Sequence, residues 1–348
     1  MKFENSSKHV FVIAEAGSNW KCGTYEDDLE QAKKLIKIAK NAGADAVKFQ
    51  TYKSETVYVK NAGKSDYLSK HGITENINEI FDNLSMPYEM IGELAKYCKE
   101  ENIMFMSTPF SIQDAKEVDP FVSVHKVASF EINHLRLLEF LTNTGKPLLI
   151  STGASTLDEI DFAYNFVKKH GNENLVFLQC TSQYPASIEA MNLAVIPKLK
   201  SKYKIPIGLS DHSTDPTIAP LISIGLGATV IEKHFTIDRN LPGPDHAFAL
   251  NPKELELMIK NIRNAEKSLG EGIKRILNEE KELRNYATRA IQAIKDIEEG
   301  EILQEGVNYE VLRPGKRIRG AEPRFLEEIE GKRSSKYVRT GDGILDYE

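Results

Sequence analysis

Three apolar runs of this sequence each end in two reactive side chains that lie two residues apart. The pairs are Lys48 and Gln50, Ser210 and His212, and Glu232 and His234. Residues i and i+2 of an extended strand point to the same face, so each pair would project together from the end of its strand. If the strands share a barrel, two imidazoles, a carboxylate, an amine and a hydroxyl converge on one place. Such a set indicates an enzyme.

The two histidines are candidate metal ligands. Imidazoles from neighbouring strands suit a divalent ion that keeps open positions for water and substrate. Asp211 and Glu232 are nearby oxygen donors, either as further ligands or as partners of the ligands. The alternative is that His212 and His234 are hydrogen-bonded rim residues without a metal.

Two lysines, Lys48 and Lys126, lie inside apolar runs. Lysine is seldom buried without a partner, so we expect both to face a bound anion. Hydroxyl side chains at neighbouring strand ends could complete a cradle for phosphate and carboxylate groups, although each alone could equally cap a turn. They are Thr108, Ser129, Ser151 and Ser210.

Two carboxylates follow turns. Glu131 is out of phase with Lys126, so the chain must turn at residues 128–129 to bring it inward. A carboxyl beside a bound anion is a candidate acid/base group, and a charge near the start of the next helix is the alternative. Asp245, in the turn "LPGPDH", could bind polyol hydroxyls or cap that turn.

These side chains must be positioned by strands that alternate with helices. Eight strands alternating with helices predict an α/β fold, a (β/α)8 TIM barrel, whose active site lies at the carboxyl ends of the strands. A doubly wound sheet would favour a G-x-G-x-x-G turn after the first strand, where this chain has "AEAGSNWKCG". The predicted strands are Val10–Ala14, Ala46–Phe49, Ile103–Met106, Val122–Val127, Leu148–Ile150, Leu175–Leu178, Ile205–Leu209 and Thr229–Ile231.

Helical periodicity predicts the main helices between these strands. Ser155 is the predicted N-cap of the third of them. They are Asp27–Asn41, Tyr88–Glu100, Thr156–Lys169 and Pro252–Leu269. Polar residues at nearly every strand end then form one set: Glu15, Lys48, Gln50, Thr108, Lys126, Ser151, Ser182, Tyr184, Ser210, His212, Glu232 and His234.

The domain organisation follows from composition. Residues 1–270 are the predicted barrel, 271–283 a charged linker, and 284–348 a small module with three strand-like runs at 289–296, 308–315 and 336–345. The module is too small for a generous core, so we expect it to dock against something. The long connection between Thr51 and Pro87 is predicted to be a lid or binding loop at the catalytic face.

Bulk composition excludes several classes of protein. The formal net charge is −6 and the pI about 5.9, which argues against non-specific nucleic-acid binding. No apolar stretch approaches the ~20 residues of a membrane span, and the first residues do not resemble a secretory signal. Three cysteines without a C-x-x-C motif fit a reducing cytoplasm, and Cys180 is predicted to be core packing.

At these residues the sequence resembles the sialic acid synthase family, which condenses phosphoenolpyruvate with an N-acetylated mannose-type sugar to a nonulosonic acid. The resemblance covers nearly the whole chain, through "FVIAEAGSN", "VKFQTY", "STPFS", "ISTG", "LQCTSQYP", "GLSDHS" and "EKHFTIDRNLPGPDH". It implies that the C-terminal module is the antifreeze-protein-like (SAF) domain of that family.

The resemblance also implies roles for single residues. It assigns manganese or magnesium to His212 and His234, and places Glu131 near the reacting carbons. It implies that Arg313, in "LRPG", reaches the sugar's acyl group in the partner's barrel of a domain-swapped homodimer. Phosphoenolpyruvate would contact Lys48, Thr108, Lys126, Ser129, Ser151, Ser182 and Ser210, and the sugar Gln50, Tyr184 and Asp245.

Two departures from the family pattern concern the expected sugar pocket. The usual Asn-His after the first strand is Asn19–Trp20 here, and a frequent glycine is replaced by Phe130. A bulkier rim would favour a substrate other than N-acetylmannosamine, such as the 2,4-diacetamido-trideoxy sugars that other members of the family use.

Two other functions stay open on the sequence. A barrel lysine, Lys48 or Lys126, could form an imine with a carbonyl substrate in a Schiff-base aldolase. The SAF-like module alone would suit a non-catalytic carbohydrate-binding protein.

Overall fold

The computed structural model of the chain describes Phe3 and residues 9–64 and 75–348. The chain divides into two compact units, Met1–Gly270 and Glu271–Glu348. Part of the predicted lid, residues 65–74, lies outside the described residues.

The first unit is built on eight parallel strands. Their order is β3-β2-β1-β8-β7-β6-β5-β4, so the first and last strands of the series pair with each other, and β3 and β4 lie side by side. This is the predicted TIM barrel. The strands are β1 (Phe11–Gly17), β2 (Ala46–Thr51), β3 (Met104–Pro109), β4 (His125–Val127), β5 (Leu148–Ser151), β6 (Leu175–Cys180), β7 (Ile207–Asp211) and β8 (Val230–His234).

Helices follow the strands, and most of them cover the outside of the barrel, whereas Ser54–Val57 and Ile77–Leu84 contribute Val57 and Phe81 to a cavity. They span Tyr25–Ala42, Ser54–Val57, Ile77–Leu84, Tyr88–Glu100, Ile112–Val118, Leu135–Asn143, Leu157–Lys169, Val195–Tyr203, Ile218–Gly225 and Pro252–Leu269. The predicted N-cap at Ser155 was wrong. Thr156 caps that helix through a reciprocal pair of hydrogen bonds with Glu159, because its hydroxyl lies three residues before a glutamate.

The inward positions of each strand change from apolar to polar along the strand. Phe11 and Ile13 of β1 pack in the closed lower part of the barrel with residues such as Val176 and Val230. The next inward positions, two residues on, include Glu15 and Glu232. Because inward residues recur every second position, the same alternation builds both the apolar plug and the polar floor above it.

The intervening strand positions face the helices. Val12, Ala14 and Val47 join a continuous core with the apolar faces of the surrounding helices. Trp20 belongs to this core and is 1% exposed. The expectation that Trp20 makes the sugar pocket bulkier was therefore wrong, because the indole is directed into the layer between barrel and helices.

The second unit contains an antiparallel pair, β9 (Ala290–Ala293) and β10 (Tyr309–Leu312), around a small core that includes Ile291, Tyr309 and Ile344. The predicted third run, 336–345, forms isolated bridges at Val338 and Gly343 rather than a strand. Short helices occupy Lys281–Ala287 and Leu326–Ile329. The boundaries of the linker and the assignment to the SAF class remain predictions.

None of the helices within residues 9–64 and 75–348 is both long enough and apolar enough to cross a membrane.

Candidate active site

A cavity of about 450 Å³ opens at the carboxyl ends of the barrel strands. Its floor is polar and one of its walls is apolar. The structure brings most of the predicted site residues together there: Lys48, Gln50, Thr108, Lys126, Ser129, Glu131, Ser151, Tyr184, Ser210, His212, His234 and Asp245. Glu15 and Glu232 join them.

Lys48 occupies the middle of the floor. Its Nζ lies 2.7 Å from Glu15 Oε2 and 3.6 Å from Glu232 Oε1, and it donates a hydrogen bond to Thr108 Oγ1 at 2.9 Å. Burial lowers the pKa of this ammonium, but Glu15 and Glu232 outweigh burial, so that the pKa is raised overall. Lys48 is therefore a permanent positive charge in the floor.

Lys126 lies beside it on β4. Its Nζ donates to Ser151 Oγ at 2.7 Å and to the Val127 carbonyl at 3.0 Å, and lies 3.9 Å from Glu232 Oε1. Burial lowers the pKa of Lys126. When Glu15 and Glu232 are ionised, their two negative charges balance the positive charges of the two lysines. This balance explains why four charged side chains are tolerated at 1–4% exposure.

Glu15 and Glu232 differ in their pKa. Burial, followed by the charge of Glu232, raises the pKa of Glu15 to about 7 against the opposing effect of Lys48. Burial would also raise the pKa of Glu232, but Lys126 and Lys48 hold it below its usual value. The floor can therefore take up one proton near neutral pH.

The two histidines meet above this floor, with ring centroids 5.5 Å apart. His212 Nδ1 lies 2.9 Å from the Thr181 carbonyl, which fixes the tautomer that leaves Nε2 as an acceptor. His234 Nδ1 is buried without a hydrogen-bond partner, and burial holds the pKa of this ring well below its usual value. Burial lowers the pKa of His212 as well, but Cys180 and the Thr181 carbonyl outweigh burial, so that this pKa is raised overall. A divalent ion binds an imidazole in its neutral form, which is the form that the low pKa favours in His234.

Further carboxylates do not complete a metal cage. Asp211 is bound to Lys233 and Ser213. Glu232 Oε1 lies near both lysines and Ser210, whereas its buried Oε2 has no hydrogen-bond partner. Within the described part of the chain, no group of three or more His, Cys, Asp or Glu residues is arranged to hold an ion. A metal here would be bound by His212 and His234, with its other positions open.

Glu131 reaches the cavity from a short 3-10 helix, Ser129–Glu131, that follows β4 directly. This is the predicted turn at residues 128–129. Burial raises the pKa of Glu131 to about 7, and Lys126 opposes that shift. A carboxyl with this pKa can give or accept a proton at neutral pH.

Asp245 is positioned by the end of β1. Its Oδ2 accepts hydrogen bonds from Ser18 N at 3.1 Å and Ser18 Oγ at 3.0 Å. Gly17 has φ +53°, and a Cβ there would lie 2.5 Å from Asp245 Oδ2. Only glycine permits this approach.

The apolar wall was not predicted from the sequence, apart from Phe130. It consists of Val57, Tyr58, Phe81, Phe110 and Phe130. Three of these, Val57, Tyr58 and Phe81, come from the long connection between β2 and the Tyr88–Glu100 helix. The described part of this connection therefore lies at the carboxyl ends of the strands, as predicted. Phe130 is 62% exposed, so its ring is available to a ligand.

Two predicted residues do not line this cavity. Ser182 borders a neighbouring cavity, and its buried hydroxyl lies 2.3 Å from the position that a Cβ on Gly153 would occupy. Arg313 is an exposed residue of the second unit, directly after β10. Cys180 was predicted to be core packing but lines the cavity. It lies two residues after Leu178, which faces the inside of the barrel, so strand alternation would have indicated this position.

The NeuB family model matches residues 35–274 of this chain. Spore coat polysaccharide biosynthesis protein SpsE of Bacillus subtilis is 39% identical over 97% of this chain and 92% of its own length. Its crystal structure aligns with a TM-score of 0.65, at 37% identity, over 99% of this chain and 98% of that one.

Two further relatives are named as synthases. Pseudaminic acid synthase of Campylobacter jejuni is 38% identical over 98% of this chain and 97% of its own length. N-acetylneuraminate-9-phosphate synthase of Homo sapiens is 32% identical over 97% of this chain and 91% of its own length.

Proposed function

Because the chain belongs to the NeuB family of synthases, we propose that this enzyme condenses phosphoenolpyruvate with an N-acylated aminosugar to a nonulosonic acid and phosphate. The observation that carries the proposal is the cavity itself. Two buried lysines, two imidazoles and the protonatable Glu131 face one space at the carboxyl ends of the strands.

The lysine floor is the proposed site of phosphoenolpyruvate. Lys48 and Lys126 supply positive charge in a buried setting, where a charge-assisted hydrogen bond to carboxylate or phosphate is strong. The surrounding hydroxyls would bind the remaining anionic oxygens, and proton uptake by Glu15 would compensate the added negative charge. The proposed hydroxyl contacts are Thr108, Ser129, Ser151 and Ser210 of this cavity, together with Ser182 from the neighbouring cavity.

His212 and His234 are proposed to hold manganese or magnesium. An ion bound there would supply Lewis-acid activation of the sugar's aldehyde. Gln50, Tyr184 and Asp245 would orient the open-chain sugar so that its aldehyde carbon lies against C3 of phosphoenolpyruvate.

The proposed condensation proceeds in three steps. C3 of phosphoenolpyruvate forms a bond to the aldehyde carbon, and the aldehyde oxygen takes a proton. Water adds to C2 and gives up a proton, for which Glu131 is the proposed acceptor. The C2–O bond to phosphate then breaks, the hydroxyl on C2 becomes the new carbonyl, and the proton of that hydroxyl leaves with the phosphate.

The apolar wall favours a deoxygenated, doubly acylated sugar. A 2,4-diacetamido-trideoxy hexose carries three methyl groups where N-acetylmannosamine carries one, and each methyl gains about 0.8 kcal/mol when it is buried. Phe130, Tyr58 and Phe110 offer that apolar contact. The relative named for pseudaminic acid is also more similar to this chain than the relative named for N-acetylneuraminate-9-phosphate.

A Schiff-base aldolase is the second candidate. The observation that favours it is the burial of Lys126, which lowers the pKa of this amine toward the neutral, nucleophilic form. An imine with pyruvate would be trapped by borohydride, and activity would persist in EDTA.

The experiment mixes the enzyme with phosphoenolpyruvate, Mn²⁺ and a panel of acylated aminosugars, and measures phosphate release and product mass. We expect phosphate release that requires Mn²⁺, with the highest kcat/KM on a diacetamido-trideoxy sugar. His234→Ala should remain folded and lose turnover. Full activity in that variant would refute the metal assignment, and turnover with pyruvate in EDTA would support the aldolase.

Two properties of the whole enzyme complete the proposal. It works in the cytoplasm, where phosphoenolpyruvate is made. It acts as a domain-swapped homodimer in which Arg313 of one copy contacts the acyl group of the sugar in the other.

A further inference from the structure

A third lysine, Lys233, is buried outside the cavity. It lies on β8 between Glu232 and His234, whose side chains face the cavity. Because successive strand residues alternate, the Lys233 side chain points to the opposite side, and it is 1% exposed. None of the roles proposed above uses it.

Every donor of the Lys233 ammonium is directed at one short segment, residues 211–215. Nζ donates to Asp211 Oδ2 at 2.6 Å, to Ser213 Oγ at 3.0 Å and to the Asp215 carbonyl at 3.1 Å, and it also contacts the Ser213 carbonyl. Asp211 Oδ1 accepts the amide hydrogen of Ser213 at 2.8 Å, which closes the turn on itself. An ammonium with three donors is thereby saturated.

His212 lies inside this segment, and His234 is the residue that follows Lys233. The ammonium therefore ties the backbone that carries one imidazole to the strand that carries the other. A buried ammonium that lost these acceptors would be left without hydrogen bonds, at a large energetic cost, so the segment cannot relax away from β8.

We propose that Lys233 is a positioning residue that sets the separation of the two imidazoles and thereby the affinity of the site for a divalent ion. This inference rests on the proposed metal site at His212 and His234. Partners that orient a ligand typically affect metal affinity by about 10- to 100-fold when they are removed.

The test measures Mn²⁺ binding to ligand-free protein by calorimetry or electron paramagnetic resonance, and phosphoenolpyruvate binding in EDTA. Lys233→Met removes the ammonium and keeps much of its volume. Lys233→Met/Asp211→Asn removes both buried charges, so that a folded protein is available if the single variant leaves Asp211 unpaired and unfolds. Ser213→Ala removes one contact and should have a smaller effect in the same direction.

The matched control is Lys146→Met. Lys146 Nζ makes similar contacts, at 2.7 Å to Asp119 Oδ1 and 2.5 Å to its carbonyl, but its side chain is 29% exposed and it precedes β5 at the other end of the barrel. We expect the Mn²⁺ Kd to rise about 10- to 100-fold in the Lys233 variants and to stay unchanged in the control. The Kd for phosphoenolpyruvate should stay at its wild-type value in both.

An unchanged Mn²⁺ Kd in a folded Lys233 variant would overturn the inference, as would an equal weakening of Mn²⁺ and phosphoenolpyruvate binding. Failure of the underlying metal site looks different. In that case His212→Ala and His234→Ala would bind Mn²⁺ as tightly as the wild type does.

Discussion

Glu131 lies in the cavity as a carboxyl that burial keeps protonated up to about neutral pH. A carboxyl with a pKa near 7 can give or accept a proton at neutral pH, but its ionisation makes the folded protein less stable. The proposed function of Glu131 and the stability of the folded protein therefore place opposite demands on this residue.

Glu131→Gln should make the protein more stable at pH 8 and leave stability unchanged at pH 4.5. The pKa is raised from 4.5 to about 7 by burial, so the folded state binds the proton more tightly, and stability falls as pH rises between those values. The difference approaches about 3 kcal/mol above pH 7, at about 1.4 kcal/mol for each pKa unit. Urea unfolding at both pH values measures it, with the exposed Glu100→Gln as the control.

The same substitution should abolish most turnover, while the wild-type kcat/KM should rise through pH about 7 as Glu131 ionises. A Glu131→Gln enzyme that is no more stable at pH 8 than the wild type would show that the carboxylate is not destabilised by its surroundings.

Gly17→Ala should impair use of the sugar rather than binding of phosphoenolpyruvate. The new methyl would meet Asp245 Oδ2 at 2.5 Å and displace it from Ser18, and it would also lie 3.2 Å from His234 Cε1. The positive φ adds about 1–2 kcal/mol of backbone strain. Steady-state kinetics should show a higher sugar KM or a lower kcat, with little change in phosphoenolpyruvate affinity.

Gly171→Ala is the matched control, because Gly171 has φ +82° with nothing within 4 Å of its virtual Cβ. It should lose stability through the same kind of backbone strain but without the clash, and it should keep wild-type kinetics. Equal kinetics in both variants would remove Asp245 from the sugar site.

At the scale of elements, each strand combines two tasks by alternation. Positions 11 and 13 of β1 fill the barrel, and Glu15, two residues further along, enters the cavity. The alternate strand residues, such as Val12 and Val47, point outward and pack against the helices. An insertion of one residue in such a strand would turn the inward-facing side chains toward the helices and the helix-facing side chains into the barrel.

The start of the Leu157–Lys169 helix offers a test of local structure. Thr156→Ala should lower the unfolding free energy by about 1 kcal/mol, because it removes the capping hydroxyl that accepts from Glu159 N. Ser155→Ala should cost less, since Ser155 Oγ donates only to the Gly153 carbonyl at 3.2 Å. Urea unfolding of the two variants compares them, and a larger loss for Ser155→Ala would restore the sequence-based N-cap.

At the scale of the whole molecule, a chain of net charge −6 is proposed to bind an anion with several negative charges. The lysines proposed to bind it are buried, where salt screens their attraction to an anion less than it would at the surface. In this proposal, the local arrangement of the lysines, rather than the net charge of the chain, determines the binding of the substrate.

The proposed swapped dimer can be tested by mixing two inactive variants. Arg313→Ala lacks the proposed arm, and His234→Ala lacks a metal ligand. Unfolded together and refolded as a 1:1 mixture, they should recover about a quarter of wild-type activity, because half of the dimers are mixed and each has one intact site. Phosphate release measures it, and a mixture as inactive as its components would show that the arm does not act in the partner.

Sequence reasoning reached the barrel and most of the cavity from local patterns. The Tyr88–Glu100 and Pro252–Leu269 helices were predicted with the bounds that the structure shows, and the pair Glu232 and His234 faces inward as its spacing indicated. These features depend on the periodicity of neighbouring residues and on the counting of strands. Both are properties of a linear chain.

Only the tertiary structure decided what each face meets. It placed Trp20 in the core, Phe130 and Tyr58 on one wall, and the Lys233 ammonium against the segment that carries His212. Alternation tells which side of a strand a residue faces, but not which distant residue lies opposite. Burial and its effect on the pKa of Glu131 likewise depend on all the atoms that surround a group, and those come from every part of the barrel.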